Sequence, residues 1–201
     1  QDQSKRMREE AREAILAAAM DVFGERGFGG ATTAEVAAAA GVSKGLVFNY
    51  FPTKDALLQA LVAKALGEAL DYWEAQSWEG PAQAQLAQLL DGAIAQVCAR
   101  PNFYRLYFSL VLQPGGSSAV EAAVAGLKRR LEAYYGRIGR LMGELGSPAA
   151  DLDAKLFQFA LNGLAHTIAA EPLLIDRPDL LPIETLKGRL LARFLPEERH
   201  P

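Results

Sequence analysis

The sequence has one cysteine, two histidines and no apolar run near the roughly 18 residues that a membrane helix needs. Each scarcity closes a class of function. With Cys98 alone, no disulfide can form within the chain and a reducing compartment is expected. Cys98 follows Ile94 and Val97 on an apolar helical face and reads as a small buried hydrophobe. One thiol and two imidazoles cannot build a zinc cluster, and the pair Asp151 and Asp153 is a weak substitute, so no metal site is expected. Phosphate-loop and dinucleotide fingerprints are absent. Gly41, Ser43 and Gly45 do spell the G-x-S-x-G of a hydrolase elbow. That motif needs a strand before it, whereas an alanine-rich helix pattern precedes it here, and only His166 and His200 offer an imidazole base. No catalytic residue and no cofactor are expected, and the chain is not read as an enzyme. A strong excess of either charge is missing too. The net charge of −3 argues against indiscriminate coating of nucleic acid but leaves room for a local basic patch. The N-terminus is polar rather than a signal peptide, so a soluble cytoplasmic protein without membrane contact is expected.

What the chain does have is helical pattern throughout, and half of its 201 residues are hydrophobic, enough for a sizeable core. The most informative stretch is GVSKGLVFNYFPTK, residues 41–54. Before it, Thr32 can cap a short helix while Glu35 reaches back to the cap backbone. Ala40, Gly41 and Val42 break that pattern, and Ser43 offers its hydroxyl to the first amides of a second short helix running to about Tyr50. Two short helices joined by a glycine-bearing turn make a helix-turn-helix, whose second helix can enter the major groove of DNA. Lys44 and Lys54 fall at the first positions of consecutive helices, where the helix dipole disfavours a cation by about 0.3–1 kcal/mol. An external phosphate would remove that penalty, so the two lysines flanking an aromatic-rich helix read as a grip on a nucleic-acid backbone. Lys5, Arg6, Arg8 and Arg12 crowd the N-terminus, either as a solvated face or as an arm along the duplex.

Residues 12–62, REAILAAAMDVFGERGFGGATTAEVAAAAGVSKGLVFNYFPTKDALLQALV, resemble the N-terminal DNA-binding domain of TetR-type transcriptional regulators at nearly every motif position. The resemblance implies that Thr33 meets a phosphate, that Ser43, Lys44, Gly45 and Leu46 face the groove, that Asn49 and Tyr50 lie against base edges or backbone, and that Lys54 clamps a phosphate. Position 46, often Thr in the family, is Leu here, and position 48, often Tyr, is Phe, so two hydroxyls that could bond to DNA are lost. Leu46 can still touch a thymine methyl.

The expected fold is all-α with about nine helices: a three-helix DNA-binding domain over residues 1–52 and a helical bundle over 53–201 for effector binding and dimerisation. Helix 1, about Lys5 to Arg26, presents Ile15, Ala19, Val22 and Phe23 to Val36, Val42, Val47 and Phe51, and ends at Gly27, Gly29 and Gly30. A longer helix from Thr53 to about Trp73 is the connector. The helix from Pro101 to Pro114-Gly115-Gly116 is apolar nearly all round and is expected to be buried. A single long helix is expected through Val120, Val124, Leu127, Leu131, Tyr134, Ile138, Leu141 and Leu145, with Lys128, Arg129, Arg130, Arg137 and Arg140 on its solvent face.

The helix from about Ala149 to Ala170 carries two apolar stripes, Leu156, Phe159, Ala160, Gly163 and Thr167 on one side and Phe157, Leu161, Leu164 and Ile168 on the other. One protomer can bury only one of them. The surplus points to a homodimer through Leu156, Phe159, Gly163 and Thr167 with Leu186, Leu190 and Phe194 of a last helix from about Pro182 to Leu195, as the resemblance also implies. Similar regulators bind a small effector and release DNA, so a hydrophobic effector is expected against some of Trp73, Phe103, Tyr104, Tyr107, Phe108, Tyr134, Phe157 and His166. An acyl-CoA is one candidate, with Arg100 or Arg105 at its anionic end. The expected output is a ligand-responsive repressor that reads double-stranded DNA at a palindromic operator, with effector binding moving the connector helix. The alternative is a helical ligand-binding or interaction protein whose helix-turn-helix is purely structural.

Overall fold

The computed structural model describes residues 2–112, 117–171 and 181–194, and every regular element among them is a helix. In chain order these are α1 Asp2–Gly30, α2 Thr33–Ala39, α3 Lys44–Tyr50, α4 Lys54–Glu74, α5 Ala82–Ala99, α6 Pro101–Val111, α7 Ser118–Gly126, α8 Lys128–Glu144, α9 Ala150–Ala170 and α10 Ile183–Ala192. The expected single helix through Val120 and Leu145 is two, because Leu127 leaves the helical region at φ −106°, ψ 6° and ends α7. That break raises the expected nine to ten. The Pro114-Gly115-Gly116 stop, the Leu195 end and His200 lie outside the described residues.

The chain packs as two compact units, one reaching from the N-terminus to Glu68 and taking in Asn102–Lys128, the other formed by Ala69–Pro101 and the chain from Arg129 onward. These packing units do not follow a division at residue 52. The first 15 residues of α4 belong with α1–α3, and α6 and α7 return to them.

In the first unit Ile15, Leu16, Ala19 and Phe23 form the buried stripe of α1 and meet Val36, Val47 and Phe51, with Val42 half-buried against the same core. Leu57, Leu58, Leu61 and Val62 of α4, Leu106 and Leu110 of α6, and Val120 of α7 complete it. Gly27, at φ 71° and ψ 156°, breaks α1 without ending it, and the turn beyond sets Phe28 edge-on to Phe23 with ring centroids 5.4 Å apart. Helix α6 is not buried all round as expected. Phe103, Leu106 and Leu110 are buried, but Arg105 and Val111 face solvent.

In the second unit Leu86, Leu89 and Leu90 of α5 pack with Ile138, Leu141 and Met142 of α8 and Phe157 and Leu161 of α9. Helix α9 buries only the Phe157 stripe. Leu156 stays 43% exposed and Phe159 69%, so the surplus apolar face expected from the sequence is present. Phe194 corrects one of the expected dimer residues. It lies in its own protomer's core, its ring 6.0 Å from that of Phe157, because the turn after α10 directs it inward while Leu186 remains outside. Leu190 is half-buried against the same core. Cys98 is corrected as well. It is exposed, because α5 buries the side carrying Leu90 and Val97, and partial desolvation still pushes its thiol up. Two of the arginines expected on the solvent face of α8 also turn inward, Arg130 to an ion pair with Asp71 and Glu74 and Arg137 to the ring of Trp78.

Candidate nucleic-acid interface

The turn between α2 and α3 is built almost entirely from local bonds. The Thr32 hydroxyl accepts from Glu35 N at 3.2 Å, and the Glu35 carboxylate accepts from Thr32 N at 2.8 Å and from the Thr32 hydroxyl at 2.9 Å, a complete capping box. At the other end, Val42 N donates to Ala37 O at 3.0 Å and Gly41 N to Ala38 O at 3.2 Å, a Schellman closure that requires the left-handed φ of 66° at Gly41. Ser43 then caps α3, its hydroxyl accepting from Leu46 N at 3.1 Å. Thr53 does the same for α4 through Ala56 N at 3.0 Å.

These caps aim α3. Val47 is fully buried, Leu46 and Tyr50 are half-buried, and Lys44, Gly45, Phe48 and Asn49 face solvent. The spacing i, i+1, i+4, i+5 puts those four residues on one helical face. The Lys44 ammonium lies 5.7 Å from the centroid of Phe48, which is 41% exposed. A Cβ on Gly45 would meet only the Ser43 hydroxyl, at 3.9 Å, so the protomer's packing does not require glycine there, and its absence of a side chain leaves the backbone open to an approaching ligand. Thr33 is half-buried in the first turn of α2.

Two residues expected at the duplex have further employment. Lys54 is half-buried with its ammonium 4.4 Å from the ring centroid of Phe28. Tyr50 donates its hydroxyl hydrogen bond to Arg8 O at 3.0 Å, tying α3 to α1. The basic N-terminal residues are the first turns of α1, not an extended arm: Arg6 pairs with Glu10 at 2.9 Å, and Arg12 stacks 5.9 Å from the Phe51 ring. Phe48 was missing from the expected contacts. Its signal in the sequence was an aromatic side chain one turn after Lys44 on a helix that already buries Val47.

The capping box has a pH signature. Hydrogen bonds from Thr32 hydroxyl and backbone, followed by the charges of Arg26 and Lys54, hold the Glu35 carboxyl below the usual carboxylate range. A lowered acid pKa contributes stability above the unfolded value, and that contribution is lost as pH falls through the folded value. Acid titration followed by circular dichroism should therefore show α2 weakening below the ordinary glutamate range of about 4.3, and Glu35→Gln should remove that part of the acid dependence. Thr32→Ala should cost about 1 kcal/mol at neutral pH.

The aromatic residues expected to hold an effector do not form one site. Phe103, Tyr104, Tyr107 and Phe108 pack on one another along α6 in the first unit. Phe157 is sealed in the core of the second unit with no exposed surface, a correction, and His166 is exposed on α9. Trp73 and Tyr134 do meet, 5.9 Å apart, in the wall of a cavity of about 260 Å³ that is also lined by Trp78, Arg137 and Arg140. An open groove of about 800 Å³ runs between α8 and α9, with Tyr135 and Phe159 among its lining. Arg100 and Arg105 line neither; they bond to Gln96 and Asn102. Among the described residues no helix is long and apolar enough to cross a membrane.

Residues 15–61 match the family described as bacterial regulatory proteins, tetR family. The HTH-type transcriptional regulator RutR of Escherichia coli K12 is 44% identical over 62 residues, covering 31% of this chain and 27% of that protein. The chain thus matches about a quarter of that relative's length. A TetR-like transcriptional regulator from Rhodococcus sp. RHA1 shares the fold at a TM-score of 0.67 and 25% identity, over 90% of this chain and 96% of that one. The regulator FadR from Bacillus subtilis, solved in complex with stearoyl-CoA, superposes with a TM-score of 0.70 over 94% of this chain and 99% of its own, at 18% identity. Residues 15–61 thus match the helix-turn-helix domain of the tetR family of bacterial regulatory proteins, and the chain as a whole shares the all-helical fold of these solved regulators.

Proposed function

We propose that the chain is a homodimeric, ligand-responsive repressor acting in the cytoplasm, which binds a palindromic DNA operator and releases it when a small hydrophobic effector binds. The observation that carries this reading is the outward face of α3: Lys44, Gly45, Phe48 and Asn49 stand exposed over a fully buried Val47. A purely structural helix-turn-helix has no use for a lysine, a bare backbone and a large ring on one open face. Ser43 and Leu46 flank that face, with Thr33 and Lys54 as phosphate contacts at the starts of α2 and α4 and Tyr50 bracing the helix from behind. In this reading residues 1–52 read the operator, and residues 53–201 bind the effector and the second protomer.

The dimer follows from α9. Leu152, Leu156, Phe159 and Gly163 recur at steps of four, three and four, and Leu152 is 58% exposed. Together with Thr167 they form an apolar face that a second copy would cover, with Gly163 allowing close approach and exposed Leu186 of α10 proposed to join the interface. Two recognition helices would then enter successive major grooves about 34–36 Å apart. The fold shared with FadR, solved with stearoyl-CoA, supports an effector with an apolar part. Such a ligand acts by binding more tightly to the state whose reading helices do not match the half-sites.

Selection from random duplexes tests the reading. An inverted repeat with half-sites about one helical turn apart is expected, and enrichment of no duplex at low salt would refute it. Light scattering should give twice 21.7 kDa, and Phe159→Asp should return the mass to a single chain. A protein that binds small molecules but no duplex would instead be the helical ligand-binding alternative.

A further inference from the structure

The cavity that holds Trp73 and Tyr134 has a chemistry that the helix-turn-helix does not explain. The rings of Trp73 and Trp78 lie 6.0 Å apart at 23°, and Tyr134 stands 5.9 Å from Trp73, giving the cavity flat apolar walls. Gly92 makes room for this wall, since a Cβ there would stand 2.6 Å from the Trp73 ring. Cations line the same space. Arg130 is consumed by Glu74 at 2.8 Å and Asp71 at 2.6 Å, which also neutralises the one carboxylate in the lining. Among the described residues Arg137 forms no ion pair, though Glu144 acts on its charge: one terminal nitrogen donates to Gln85 Oε1 at 3.0 Å, its guanidinium lies 4.2 Å from the Trp78 ring centroid, and its Nε is buried without an acceptor. A buried N–H of a charged group left without an acceptor is costly, and Arg140 adds a second positive charge nearby.

We propose that this cavity binds a small planar aromatic carboxylate, its ring against Trp73, Trp78 and Tyr134 and its anionic end on Arg137 and Arg140. The class follows from fit. A volume of about 260 Å³ suits one or two fused rings rather than a long chain. Flat walls select a flat body, and a guanidinium that lines the cavity without an ion-pair partner among the described residues matches the planar fork of a carboxylate. Burial and then the neighbouring Arg140 disfavour the Arg137 cation, Glu144 favours it, and the charge of an anion in the cavity would offset the first two. This inference rests on the reading of the chain as ligand-responsive and names the ligand class for its second unit.

The chain contains only two tryptophans, and both are in this wall, so its fluorescence reports on the cavity directly. The protein should show saturable tryptophan quenching with benzoate and saturable binding heat with indole-3-acetate in calorimetry. Benzamide and cyclohexanecarboxylate should bind at least about tenfold more weakly, since the first lacks the charge and the second the plane. Arg137→Gln should weaken benzoate by about tenfold or more while Arg137→Lys restores part of it, and Arg100→Gln should change nothing. Equal binding of benzoate and benzamide, which needs no variant, would overturn the site, as would absence of any arylcarboxylate binding. The operator assay separates the two proposals. Aryl acids that bind without affecting a bound operator leave the site standing and refute its regulatory reading. Release of DNA by other hydrophobic compounds without arylcarboxylate binding refutes the site alone.

Discussion

Operator affinity should fall by roughly a hundredfold or more in the double variant Lys44→Ala/Lys54→Ala, and the salt dependence should flatten with it. In the proposed dimer both changes would remove two phosphate contacts on each half-site, and each contact contributes about 0.9 to the slope of log affinity against log salt, so the slope should drop by roughly 3 to 4. The two lysines are distinguishable. Lys44 is exposed beside the Phe48 ring, and its loss should leave folding unchanged. Lys54 also rests 4.4 Å above Phe28, and removing it forfeits a cation–π contact of about 0.5–1 kcal/mol, which lowers the melting temperature slightly. A double variant that keeps its salt slope would show that neither ammonium meets the duplex.

Phe23→Ala should destabilise the protein by about 3–5 kcal/mol, the largest single loss expected in the first unit. The ring has no exposed surface, stands edge-on to Phe28, and lies 6.0 Å below the Lys54 ammonium. Its removal therefore opens a cavity where the end of α1, the turn past Gly27 and the start of α4 converge. Thermal unfolding followed by calorimetry should show the midpoint falling by roughly 10 °C for a chain of this length. A loss below about 1 kcal/mol would mean that Phe28 swings in to refill the space.

The helix-turn-helix was legible because its signals are local. Thr32 with Glu35, Gly41 and Ser43 each act within three or four residues, and every one of those bonds forms as the sequence predicts. The all-helical class and the surplus α9 stripe were legible for a similar reason, since both rest on a period that neighbours cannot change. Elsewhere tertiary packing decided. Steps of four and three run unbroken across Leu127, so periodicity has no means of showing that α7 and α8 part there. Cys98 was placed on the wrong side because an apolar helix such as α5 offers more than one face to bury, and Phe194 because it lies past the end of α10, where the helical period no longer sets its direction. Arg137 looked like a solvated cation, and only the position of Trp78, in the connection between α4 and α5, reveals what it rests on.

The bond from the Tyr50 hydroxyl to Arg8 O spans 42 positions and fastens the last residue of α3 to the scaffold behind it. On the proposed reading, that has a practical meaning for anyone who wants to redirect the protein to a new DNA sequence. Residues 44, 45, 48 and 49 can be exchanged for those of a relative without disturbing the frame, but a grafted segment that arrives with phenylalanine at 50 would bring the right letters on a loosened type-bar. Retargeting should keep the phenol and vary the four outward positions around it.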